Sequence, residues 1–196
     1  MARSPDRKRI IVAITGATGA QIGIQILNTL RSLNVETHLI ISKWAGETIK
    51  YETDYTTATV RALADYSYNA HDLAAPISSG SYRVDGMIIA PCSVKTLAAI
   101  NAGICDDLIT RAADVCLKER RRVVLSVRET PLSEIHLRNM LDVTRAGAII
   151  APPVMALYTR PSSIEDVITQ MVGRLLDLFD LDARNFDRWE GMQKEA

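Results

Sequence analysis

Cysteine is scarce in this chain, and what there is lacks pattern. Cys92, Cys105 and Cys116 are odd in number and share no CxxC spacing, so neither a disulfide framework nor a zinc site is indicated. The three histidines, His38, His71 and His136, are scattered over a strand, a loop and a helix, so no catalytic triad or metal cluster follows. Net charge is also missing: 23 lysines and arginines balance 23 aspartates and glutamates. No global field therefore favours nucleic acid or an anionic membrane, and any anion site must be local. No stretch approaches the roughly 20 apolar residues of a membrane span. The opening "MARSPDRKRIIVAITGATGA" has a basic end and an apolar run, but "IIVAI" is too short for a signal peptide and suits a first strand better. A cytoplasmic protein is expected. Repeats, linkers and low-complexity segments are absent too. With 196 residues, 47% of them apolar, the chain suits one domain with its own core.

What is present is an alternation of short β-branched runs with longer helical patterns, the signature of βα units and a mostly parallel sheet covered on both faces. Strands are expected at "RIIVAIT" (9–15), "VETHLIIS" (35–42), "GMIIAPCS" (86–93), "RRVVLSV" (121–127) and "GAIIAPP" (147–153). Helices are expected at about 19–33, from 42 to about 54, at 133–145 and at 163–180, the last with Ile164, Val167, Ile168, Met171, Val172 and Leu175 on one stripe. Residues 66–85 hold no sustained period and read as one long loop. The expected architecture is α/β: a Rossmann-like or flavodoxin-like three-layer sandwich, whose ligands sit beyond the carboxyl ends of the strands. Every unusual polar cluster falls at such an end: "TGATG", "SKW", "PCSVKT", "RETP" and "PPVMALY".

Each cluster has a bland and a chemical meaning. "GATGAQIG" places Gly16, Ala17, Thr18 and Gly19 at a strand-to-helix turn where amides could meet a phosphate. It matches neither GxGxxG nor GxxxxGK[ST], so a plain tight turn stays open. In "PCSVKT", Ser93 or Thr96 could simply cap a helix, with Lys95 solvated, or the group could hold a flavin edge. Arg111, Asp114 and Lys118 share one helix face, as a solvated ladder or as part of an anion site. Arg128 could grip a phosphate bidentately, and Glu129 could serve as acid or base. Glu52 reads as a second carboxylate or a helix-end surface charge; Tyr158 and Arg174 pass as a capping phenol and a helix-face cation. "DDLIT" lacks the second acidic step of a DDxxD magnesium site, so no metal is indicated.

Taken together, "TGATGA", "SKWA", "ETD", "ISSGS", "PCSVKTLAAI", "RAADVCLKERR", "VRETPL", "HLRNM", "GAIIAPPVMALY" and a late "RW" resemble, in order and over nearly the whole chain, the UbiX-type flavin prenyltransferases. These were formerly called phenylacrylic acid decarboxylases. The resemblance implies a single flavoprotein domain over 1–196, with an N-terminal extension to about residue 8 and a tail from about 182 closing the site. It implies a homododecamer with sites between subunits. Members join the dimethylallyl group of dimethylallyl monophosphate to N5 and then C6 of reduced FMN, without a metal. The prenylated FMN serves a UbiD-type decarboxylase. Carried over, Gly16, Ala17, Thr18, Ser42, Ser93, Val94, Lys95, Thr96 and Arg128 match FMN-contacting positions. Lys118, Arg128, Glu129, Tyr158 and Arg174 match the group that holds the substrate phosphate. Arg111 and Glu52 match further active-site positions, and Trp189 a closing aromatic. Thr18 stands where many members have serine, and Leu73 where some carry an aromatic.

Two rivals remain at this level. Flavin-dependent cysteine decarboxylases of the same superfamily resemble a PxSxNT pattern with a catalytic histidine; Lys95 replaces that Asn here, and no histidine is well placed. A non-catalytic flavin carrier is the other.

Overall fold

The structure is a computed structural model that describes residues 7–184 and 186–192. Six strands, β1 (Arg9–Ile14), β2 (Glu36–Ile41), β3 (Tyr66–Asn69), β4 (Gly86–Cys92), β5 (Arg122–Val127) and β6 (Ile149–Ile150), form one sheet in the order β3-β2-β1-β4-β5-β6. Every pairing is parallel. This is the 3-2-1-4-5-6 order of doubly wound dinucleotide folds; without the short edge strand β3, the remaining five run 2-1-3-4-5, the flavodoxin order. Both halves of the expected fold class are thus met.

The central strands β1 and β4 are buried end to end because helices cover both faces. Ile10, Val12 and Ile14 of β1 face a core shared with α1 (Ala20–Ser32) and α7 (Ile164–Asp177). Ile11 and Ala13 face the other, shared with α4 (Val94–Asn101), α5 (Leu108–Lys118) and α6 (Glu134–Arg145). That explains the continuous apolar runs, since a strand covered on one side only would alternate. Among the described residues no helix is long and apolar enough to cross a membrane.

Two expected elements need correction. The stretch 66–85 is not all loop: Tyr66–Asn69 pairs with β2 as β3, its four residues being too short and too exposed to stand out as a strand. The last strand is confined to Ile149–Ile150 rather than 147–153, because Gly147 takes a φ of 106° and the chain after Ala151 leaves the sheet through two prolines. Two more helices go beyond the expectation or refine it: α2 covers Lys43–Glu52, and a short α3 (Thr57–Arg61) follows with a Thr56–Thr59 capping box. Of the expected N-terminal extension, the described residues are tied in: Arg7 pairs with Asp65 at 2.8 Å, and Lys8 donates to the Phe179 carbonyl.

Gly23 shows why α1 can lie so close to the sheet. A Cβ there would sit 2.5 Å from the Ala90 carbonyl oxygen and 2.8 Å from an Ile14 side-chain carbon, so backbone would have to move. Gly23→Ala is expected to cost about 1–3 kcal/mol by overpacking, read as a shift in the urea midpoint.

On the face of β2 turned away from α1 a polar network packs beside the apolar core. His38, fully buried, lies 2.9 Å from the Tyr68 hydroxyl and 2.9 Å from the Glu36 carboxylate, and stacks on Tyr66. Arg9 pairs with Glu36 and lies 4.5 Å over the Tyr82 ring. Burial drives the His38 imidazole below its usual value, more than the Glu36 carboxylate raises it. The unfolded chain therefore binds the extra proton more readily, so stability should fall as pH drops through about 6.5 towards the lower folded value. Urea titrations between about pH 7 and 5 should show this slope, flattened in His38→Gln.

Candidate active site

The sheet splits at β1 and β4, neighbours whose following helices go to opposite faces, so a crevice opens beyond their carboxyl ends. Thr15 locks its floor. Its hydroxyl donates to the Pro91 carbonyl at 2.8 Å and accepts from the Ser93 amide at 2.8 Å, joining the turn after β1 to the turn after β4. Sequence reasoning passed over Thr15; a threonine just before the first glycine of a strand-end turn was the available signal. Gly16 is needed for close approach as well, since a Cβ would meet that of Trp44 at 2.5 Å. Ala17 and Thr18 follow at the crevice edge, with Thr18 exposed.

Glu52, the last residue of α2, is more than a surface charge on a helix end. Its carboxylate accepts from the Thr18 hydroxyl and from the Gly19 and Ala20 amides at 2.8 Å each. It therefore occupies the positive end of α1, where the sequence suggested a phosphate. Gly19, with φ 104°, provides no side-chain cap of its own, and Glu52 does that work from another helix.

The free donors lie one turn away. Ser42 caps α2, accepting from the Ala45 amide at 3.1 Å, while its own amide holds the end of β1. Ser93 caps α4, accepting from the Thr96 amide at 3.3 Å with the Thr96 hydroxyl 3.1 Å away. Val94 and Lys95 begin that helix, so their amides have no carbonyl one turn back to bond. Lys95 is exposed and only loosely paired with Asp107 at 3.6 Å. The caps of "PCSVKT" are thus real, and they leave the Val94 and Lys95 amides and the Lys95 cation unused. Cys92, in the same turn, is no nucleophile: burial pushes its thiol up to about 12.

Arg128 and Glu129 stand at the end of β5 beside this group. The Arg128 amide bonds the Cys92 carbonyl at 3.1 Å, and its half-buried guanidinium meets no acceptor among the described residues. One Glu129 oxygen accepts from the Thr130 amide at 2.9 Å.

The other expected residues are not brought here by one chain. Arg111 lies on the α5 flank, bonded to the Ser78 carbonyl at 3.1 Å and to Asp114 at 2.7 Å, which supplies the partner its half-buried position needs. Lys118 does not extend that ladder; it pairs with Glu119. It ends α5 just before β5 begins, whereas Arg128 follows the end of β5, so the length of that strand, about 20 Å, separates them. Tyr158 and Arg174 form a third group along α7. The Tyr158 hydroxyl accepts from Gln170 at 2.9 Å and its ring meets Trp189 edge-on at 5.4 Å. Arg174 pairs with Asp177 at 2.8 Å and borders an apolar cavity of 290 Å³ that also takes in the buried, unpartnered hydroxyl of Ser126.

Comparison with known proteins meets this geometry. The flavoprotein family model matches residues 2–176. The mitochondrial flavin prenyltransferase PAD1 of Saccharomyces cerevisiae is 58% identical over 98% of this chain and 80% of its own length. The crystal structure of AnUbiX (PadA1), in complex with FMN and dimethylallyl pyrophosphate, superposes with a TM-score of 0.95 at 69% identity, covering 95% of this chain and all of that one. A dodecameric FMN-dependent UbiX-like decarboxylase from Escherichia coli O157:H7 follows with 0.92 at 53%, covering 93% and 100%. The peptidyl-cysteine decarboxylase EpiD, with 0.60 at 16% over 76% of this chain and 83% of its own, shares the fold alone. A strand-end crevice with caps, spare amides and cations, in a chain this similar to those proteins, places it in the flavoprotein family, among the UbiX-like flavin prenyltransferases.

Proposed function

We propose that this protein joins the dimethylallyl group of dimethylallyl monophosphate to N5 and C6 of reduced FMN. The observation that carries this reading is the crevice between β1 and β4, where the Ser93–Thr96 cap holds the turn and the Val94 and Lys95 amides, the Lys95 ammonium and the Arg128 guanidinium leave donors and charge unspent. It lies in a chain 69% identical to a protein solved with FMN and dimethylallyl pyrophosphate. FMN is a substrate here. Breaking the allylic C–O bond leaves a phosphate dianion and an allyl cation, so fixed cations lower the barrier at the leaving group while the flavin face shelters the cation.

In this reading Gly16, Ala17, Thr18, Ser42 and the β4–α4 turn seat the flavin. Lys118, Arg128, Tyr158 and Arg174 take the phosphate, and Arg111 and Trp189 complete the wall. The released phosphate and Glu129, which keeps one oxygen free, take the protons that N5 and C6 lose, and Glu52 is the alternative acceptor. Because Lys118, Arg128 and Arg174 lie in three places on one chain, each site takes side chains from neighbouring copies. A homo-oligomer follows, with the dodecamer named for the Escherichia coli relative as its form. The chain acts as one flavoprotein domain whose tail, from about residue 182, closes the site, and it works in the cytoplasm without a metal. Prenylated FMN then goes to a UbiD-type decarboxylase.

The test is anaerobic incubation of the purified protein with reduced FMN and dimethylallyl monophosphate, with the extracted flavin read by mass spectrometry. A flavin heavier by one C5H8 unit, with phosphate released, is expected. FMN that copurifies and stays unchanged would favour the carrier.

A further inference from the structure

The tail lies along one stripe of α7, and three of its contacts there adjoin residues proposed to hold the substrate phosphate. Gln170, Gly173 and Asp177 follow one another at three- and four-residue spacing, so they share a face. The Gln170 amide nitrogen donates to the Tyr158 hydroxyl at 2.9 Å and to the Asp187 carbonyl of the tail at 3.1 Å. Gly173 leaves room for the Phe186 ring, which a Cβ would meet at 2.1 Å. Asp177 receives Arg174 at 2.8 Å on one oxygen and the tail's Arg188 on both, at 2.8 and 2.7 Å.

Resting on the prenyltransferase reading, we propose that Asp177 and Gln170 are positioning residues that pass docking of the tail to Arg174 and Tyr158. Asp177 carries one negative charge and faces two guanidiniums. Arg188 takes both carboxylate oxygens in the fork geometry that suits arginine best, and leaves Arg174 a single contact. With the tail docked, the charge of Arg174 is only partly compensated. Its side chain is 62% exposed and makes one bond among the described residues, which leaves N–H groups for a phosphate. With the tail undocked, Asp177 closes on Arg174 alone and competes with the substrate. Asp182 contributes a further acceptor for Arg188 at 3.1 Å, which keeps that cation on the tail side. Gln170 does the same for orientation: buried, it fixes the phenol that Trp189 covers. Docking therefore does two things at once, freeing charge and fixing direction.

Arg188→Gln isolates the effect, because Arg188 touches neither Tyr158 nor Arg174 and its loss leaves the Arg174–Asp177 pair in place. Gly173→Ala lifts the tail by a separate, purely steric route. Both variants are expected to raise KM for dimethylallyl monophosphate about 5- to 10-fold, the range of ordinary coupling between sites, with kcat within about twofold. FMN affinity should stay at the wild-type value, and Arg188→Lys should recover part of the loss. An unchanged KM in both variants would overturn the inference while leaving the prenyltransferase reading intact. So would parallel loss of FMN affinity, which marks a structural defect. A wild-type protein that makes no prenylated flavin overturns both.

Discussion

Alanine at Lys118 and alanine at Arg128 are each expected to cripple prenyl transfer, and assemblies mixed from the two impaired proteins should recover about a quarter of wild-type activity. Each substitution removes one fixed cation from a leaving phosphate, a loss of about 10²- to 10³-fold. Recovery follows from where the residues stand. Lys118 ends α5, ahead of β5, while Arg128 stands past the far end of that strand. One chain does not bring both to one phosphate, so in the proposed reading a site draws them from different copies. In a random mixture a site has one chance in two of an intact Arg128 and one in two of an intact Lys118, hence about one in four of both. Were both supplied by one chain, every site would carry a defect and the mixture would stay inactive. Neither change should harm folding. Arg128 gives up no side-chain bond among the described residues, and Lys118 gives up an exposed pair worth under about 1 kcal/mol.

The fold was legible because its signals are redundant. Apolar runs bounded by turns mark β1, β2, β4 and β5, and polar clusters fall at their carboxyl ends. β3 was hidden because Tyr66–Asn69 is a mostly exposed edge strand of four residues. At the site, residue types marked Ser93, Thr96, Arg128 and Glu129 as candidates but left helix capping and anion binding both open, and one turn of chain brings each pair together. The role of Glu52 in capping α1 was out of reach. It depends on two helices meeting across 32 residues of chain, and nothing in "YETD" points to Gly19 and Ala20. The separation of Lys118 from Arg128, by contrast, was within reach: the expected strand 121–127 lies between them, and the six residues of β5 set them about 20 Å apart.

Glu129→Gln should form the N5-linked flavin and stall before the ring closes, slowing closure by about 10²- to 10⁴-fold. The two candidate carboxylates differ in what they already hold. Glu52 takes three donors at the start of α1, so its lone pairs are committed and its charge is stabilised by the helix. Glu129 takes one, from the Thr130 amide, and keeps its second oxygen available. A free carboxylate oxygen is what proton transfer needs. The first step forms the N5–C bond as the C–O bond breaks, and the released phosphate can carry away the N5 proton. In the second, the alkene gains a proton, C6 bonds the resulting tertiary carbon, and the C6 proton leaves. That step needs a group able to give a proton and take one back, and glutamine can do neither. The open and closed flavins have equal mass, so the check is chromatography and absorbance after mass spectrometry has shown the added C5H8. Normal cyclised product from Glu129→Gln would move the role to Glu52, whose own glutamine variant should also lose about 1.5–3 kcal/mol of stability through its charged hydrogen bonds.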